Sequence, residues 1–114
     1  MNAIAIAKRY FELSNDSDFD SISPLLNDLA TYDSQNTGLH TGLDDIVSMQ
    51  KDFHKKFSSL GWTINDIKES QPNIVIIDYD FVGKKLNGAT VNSSGLETIV
   101  VKNGRIIRIE VRNK

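Results

Sequence analysis

The stretch Ile74-Val75-Ile76-Ile77-Asp78-Tyr79-Asp80-Phe81-Val82 decides how the rest of the chain is read. Val75, Ile77, Tyr79 and Phe81 recur with a period of two, and Ile74, Ile76, Asp78, Asp80 and Val82 fill the alternate positions. Side chains of a strand point alternately to its two faces, so this is a strand with one apolar face and one mixed face. On its N-terminal side, Gln71-Pro72-Asn73 reads as a turn into it from an earlier strand opened by Trp62 and Ile64. On its C-terminal side, Asn87-Gly88 and Asn103-Gly104 are turn dipeptides. The second separates two apolar runs, residues 96–101 and 105–111, and predicts a type I′ hairpin.

Upstream of Trp62 the period is helical. Ile6, Tyr10 and Leu13, with Ala3, Ala7 and Phe11 beside them, form one amphipathic helix. The polar run Ser14-Asn15-Asp16-Ser17-Asp18 ends it and caps a second helix carrying Phe19, Ile22, Leu25 and Leu26. Pro24 sits in the first turn of that helix or kinks it. A short strand over residues 29–34 follows, then a loop with Gly38, His40 and Gly42. Thr41 and Asp44 resemble a capping box for a third helix, whose stripe is Ile46, Met49, Phe53, Phe57 and Leu60 and whose stop is Gly61. Helices followed by a meandering antiparallel sheet make an α+β domain, with residues 1–114 as its single unit.

Composition narrows the function classes. The 114 residues include no cysteine, so a disulfide framework, a thiolate zinc site and a thiol nucleophile are excluded. A net charge of −2 with scattered charges offers no basic block for nucleic acid. The N-terminus lacks the features of a signal peptide, and no apolar run is long enough to span a bilayer; a cytoplasmic protein is the expectation. The two histidines, His40 and His54, have no carboxylates at ligand spacing, so neither metal nor cofactor is expected. The strand over residues 74–82 is partly apolar on its second face as well, and the chain has too few helices to cover both. A homodimer through the outer sheet face is therefore expected.

The order of these elements, with Lys8-Arg9-Tyr10-Phe11, Asp18-Phe19-Asp20, Gly42 before the third helix and Gly104-Arg105-Ile106-Ile107, resembles the nuclear transport factor 2-like superfamily and, within it, the SnoaL-like and ketosteroid isomerase branches. The resemblance implies a cone: a bent sheet wrapped around helices, a pocket at one end and frequent dimers. In ketosteroid isomerases a first-helix tyrosine and a late-strand acid hold the substrate oxygen, and a first-strand aspartate moves the proton. Those positions fall here on Tyr10, Glu97 and Ser34, with Asp33 one residue before Ser34.

Strand parity turns Tyr32 and Ser34 toward the pocket and Asp33 away from it, unless a bulge rotates Asp33 inward. Glu97 has two readings: a pocket acid kept protonated by burial, or an ion-pair partner of Arg105, Arg108 or Arg112 on the neighbouring strand. His40 is placed at the pocket mouth, and His54 at the edge of the third helix's apolar stripe. Three functions compete. The first is a small-molecule-binding domain for an apolar or aromatic ligand with a polar tip, with Phe53, Phe57, Tyr79, Phe81 and Ile99 as walls and Tyr10, Tyr32, Ser34 and Glu97 as orienting groups. The second is an isomerase or cyclase working by proton transfer next to a carbonyl, with Tyr10 and Glu97 holding the oxygen and Asp33 or His40 as base. The third is an interaction module using the outer sheet face.

Overall fold

In the computed structural model, which describes residues 1–114, the deciding stretch is the middle of strand β4 (Ile74–Lys85) and its alternation is reproduced as burial. Val75 and Ile77 are fully buried and Tyr79 and Phe81 nearly so, whereas Asp80 and Val82 are exposed. Each large apolar side chain removed from water contributes about 2 kcal/mol, so a one-residue slip in register would expose this whole set. The type I′ expectation is met: Asn103 and Gly104 have φ of 52° and 78°, the doubly positive pattern of that turn. They join β5 (Thr90–Lys102) to β6 (Arg105–Asn113).

Strands β1 (Leu26–Ser34), β2 (Gly38–Thr41) and β3 (Phe57–Gln71) complete a curved, unclosed sheet in the order β2-β1-β6-β5-β4-β3. Every neighbouring pair is antiparallel except β1 and β6, which run parallel. Helices α1 (Ala3–Asn15) and α3 (Leu43–His54) lie in the concavity, and Ile6, Ala7, Phe11 and Ile46 pack there against Ile77, Ile99, Ile106 and Ile109. One polar contact fixes α1 to the sheet. The Asn15 amide accepts from the Trp62 N–H (2.7 Å) and donates to the Trp62 carbonyl (3.0 Å), satisfying both backbone groups of one residue.

Several elements depart from the sequence expectation. Helix α2 (Phe19–Ile22), capped by Asp18, is a single turn, and Ser23–Leu25 continue as a 3₁₀ turn with Pro24 in it. Pro24 has no N–H to extend the α ladder, so Leu26 already belongs to β1. The region of Gly38 and His40 is a strand and not a loop, because residues 38–41 pair in register with residues 31–34. The Thr41–Asp44 capping box does not form. Gly42 (φ 92°) caps α3 without a side-chain bond, and Asp45 instead reaches back to the Thr41 N–H (3.3 Å). Phe57 and Leu60 belong to β3, not to α3. Pairing of Phe57 with Lys85 and of Leu60 with Gly83 recruits them into the sheet, and tertiary pairing overrides the helical period. No helix is long and apolar enough to cross a membrane.

Candidate functional site

The concave face of the sheet and the C-terminal half of α3 enclose a cavity of about 370 Å³, within the range of small-molecule pockets. Alternation along the strands determines what it contains. Tyr79 and Phe81 come from β4, Val91, Ser93 and Glu97 from β5, and Tyr32 and Ser34 from β1. Tyr10, Phe11 and Ser14 descend from α1, and Met49, Gln50, Phe53 and His54 from α3. One side of the wall is aromatic: Phe53, Phe57, Trp62 and Phe81 pack with ring centroids 5.0–6.4 Å apart.

The other side is polar. Glu97 is 5 % exposed and pairs across the sheet with Ile77 and Val111, so apolar neighbours flank it on the inner face. Burial there pushes its carboxyl up to about 8, leaving a neutral acid with an O–H to donate at pH 7. Its Oε2 has no partner. Of the arginines that offered an ion pair, Arg108 and Arg112 are engaged with Asp33 and Glu110, and Arg105 forms none. Gln50 Nε2 donates to the Tyr10 hydroxyl (2.7 Å), while Gln50 Oε1 is buried and unpartnered. Burial, with Glu97 nearby, raises the phenols of Tyr10 and Tyr32 well above their ordinary value, and that of Tyr79 to about 12. All three are therefore neutral donors at physiological pH. Tyr79 lies so close over Gly95 that a Cβ there would sit 2.5 Å from its hydroxyl, and this absence of a side chain seats the ring.

Three expected site residues are elsewhere. Asp33 follows strand parity to the outer face, where Arg112 (3.1 Å) and Arg108 (3.4 Å) bind its carboxylate and hold it below the usual range. His40 is outside the lining: one ring nitrogen bonds the Thr37 carbonyl (2.8 Å) and the other Asp45 (3.3 Å), which fixes it to the start of α3. Ile99 is fully buried between Val75 and Ile109 and is core, not wall.

Conversely, Gln50, His54, Trp62, Ser93, Lys56 and Lys85 line the cavity without having been assigned to it. Gln50 had a signal, since it stands one helical turn after Ile46 on the buried stripe. His54 is neutralised further by burial, with Nδ1 against Ser17 Oγ (2.8 Å). No group of three or more His, Asp or Glu side chains is gathered in a way that could hold a metal ion.

A bent six-stranded sheet around helices, with a cavity between them, is the α+β fold of nuclear transport factor 2-like proteins. The SnoaL-like domain family matches residues 7–109, and the chain belongs to it. No curated protein matches the chain. Among solved structures, a nuclear transport factor 2-like protein of unknown function from Burkholderia pseudomallei is similar over 100% of this chain and 92% of its own, at 12% identity and TM-score 0.88. A putative polyketide cyclase from Pseudomonas putida is similar over 100% of this chain and 92% of its own (15% identity, TM-score 0.85). TerC, crystallised with polyporic acid, is similar over 98% of this chain and 91% of its own (13% identity, TM-score 0.85). At these identities the likeness establishes the fold alone.

Proposed function

We propose that the chain binds a small apolar or aromatic molecule whose inner end is a carbonyl or other oxygen acceptor. The observation that carries this reading is the unpartnered, neutral Glu97 carboxyl, standing among phenolic donors inside an otherwise aromatic cavity. A buried polar atom without a partner costs free energy, and a ligand oxygen that accepts from it removes that cost. Tyr10, Tyr32, Ser34 and Glu97 orient the guest, and Phe53, Phe57, Tyr79 and Phe81 enclose its body. TerC, which shares the fold, was co-crystallised with polyporic acid, so this architecture accommodates an organic guest in at least one relative.

A thermal-shift screen with neutral aromatic ketones, aromatic polyketides and steroidal ketones tests the reading. Binders should raise the melting temperature of the wild type by several degrees, and less that of Tyr10→Phe. A screen without a single responding compound would remove the proposal.

The proton-transfer reading has less support, because both of its candidate bases, Asp33 and His40, are engaged outside the cavity. The outer face bears the exposed apolar side chains Val82 (53 %) and Leu96 (42 %), with half-buried Ile76 and Val100 beside them. A homodimer through this face is part of the proposal. Analytical ultracentrifugation at micromolar concentration should show dimer for the wild type and monomer for Leu96→Asp; a wild-type monomer refutes it.

A further inference from the structure

The charge around the cavity is one-sided. The exposed residues of its lining are Asn36, Lys56, Lys85 and Ser93, and these ring the opening. Its only carboxyl is Glu97, at the buried end. Lys56 and Lys85 are brought together by the sheet: Phe57, next to Lys56, pairs with Lys85, and the Leu86 N–H donates to the Lys56 carbonyl (3.3 Å). Lys55 and Lys84 adjoin them in sequence and are also exposed.

None of these four ammonium groups takes part in an ion pair. The salt bridges of the chain join Arg9 to Glu12, His40 to Asp45, Arg108 and Arg112 to Asp33 and Glu110, and Lys114 to Asp78. Asp52, one helical turn before Lys56, forms none. In a chain of net charge −2, the unpaired Lys56 and Lys85 at the pocket opening form a local field of the opposite sign, which concentrates anions there.

We infer that the ligand is an acid: its far end, at the opening, carries a carboxylate, enolate or comparable single negative charge that Lys56 and Lys85 receive. This rests on the reading of the cavity as a ligand site and names the class of guest. Along β5, Val91 to Glu97 spans six residues, at most about 20 Å for a straight strand and less for a curved one. A rigid body of two aromatic rings, with an oxygen acceptor at one end and an acid at the other, is of the length that joins Glu97 to the two lysines of the lining. The lysines select by charge.

The test compares acetylbiphenyl with its analogue bearing a carboxylate at the opposite end of the rings. Both are titrated by calorimetry into wild type, into Lys56→Gln/Lys85→Gln, and into Lys102→Gln at the other end of β5. The wild type should bind the carboxylate roughly tenfold more tightly than the neutral ketone at low salt, and the preference should shrink as salt rises. The double variant should lose the preference yet keep its affinity for the neutral ketone, and Lys102→Gln should behave as wild type. Equal affinities in the wild type, or a preference that survives in the double variant, overturn the inference while leaving the ligand site intact. Failure of both compounds to bind overturns the ligand site and this inference with it. Because both lysines are exposed and unpaired, the double variant should melt with the wild type.

Discussion

Glu97→Gln is expected to stabilise the protein at pH 7 by about 3 kcal/mol, and to flatten its stability between pH 4.5 and about 8. In the unfolded chain the carboxyl releases its proton near 4.5, whereas burial holds it to about 8 in the fold. Across that interval the folded state binds more protons than the unfolded one, so stability falls as pH rises. Each pH unit costs about 1.4 kcal/mol, and the loss levels off once the folded carboxyl ionises too. Glutamine keeps the shape and a donor but has no proton to surrender, so the penalty disappears. For a domain of this size the gain at pH 7 corresponds to a rise in melting temperature of roughly 10 °C. Denaturant melts of both proteins at a series of pH values provide the measurement. A variant less stable than wild type at pH 7 would mean that Glu97 is ionised and paired in the fold, and the assignment of a neutral donor would fall.

A natural sequence that retains so costly a residue in place of a neutral one is consistent with selection for something other than stability. The same reasoning separates Glu97 from Asp33. Both are carboxylates on strands and both lie near arginines in sequence, but Asp33 alternates outward to meet Arg108 and Arg112, and its pairing contributes to holding β1 against β6. Glu97 alternates inward, flanked by Ile77 and Val111 on the neighbouring strands and without a cation to pair with. One residue of parity decides whether a carboxyl meets arginines on the outer face or is buried in the cavity wall.

That parity is why much of the interior was legible before any coordinates. The alternation in residues 74–82 puts Tyr79 and Phe81 on one face, and the family resemblance marks that face as inner, as it does Ser34 and, by the step of two along β1, Tyr32. Local chemistry also sufficed for the Asn103-Gly104 hairpin and the Asp18 cap. What the sequence hid depends on partners distant along the chain. Phe57 and Leu60 continue the helical stripe of α3 in spacing, and only their pairing with β4 makes them a strand. His40 resembles a loop residue until residues 38–41 pair with β1. Ile99 has the parity of Glu97 but lies where α1 closes over the sheet, so it packs as core. Lys56 and Lys85 are ordinary surface lysines in sequence, and become a pair at an opening only through the β3–β4 register.

Binding of a neutral aromatic ketone should be independent of pH below about 8 and weaken about tenfold per pH unit above it. The ketone oxygen can only accept, so the complex needs the protonated form of Glu97. Below about 8 that form is already dominant and binding requires no proton uptake. Above it, each unit leaves a tenfold smaller fraction of protonated protein, and the apparent affinity falls in proportion until the proton affinity of the complex itself is exceeded. A ligand acceptor hydrogen-bonded to the acid raises that second limit, so the two ends of the titration report the free and occupied states separately. Glu97→Gln should bind the same ketone with an affinity that ignores pH over the whole range, because its amide donates without titrating. The phenols do not confuse the profile: Tyr79 loses its proton only near 12, and burial raises Tyr10 and Tyr32 well above 10. Calorimetric titrations in buffers of different ionisation enthalpy would also count the protons taken up. An affinity that instead rises with pH would show that the carboxylate is the binding form and that the ligand's inner end donates, which would reverse the polarity assigned to the pocket.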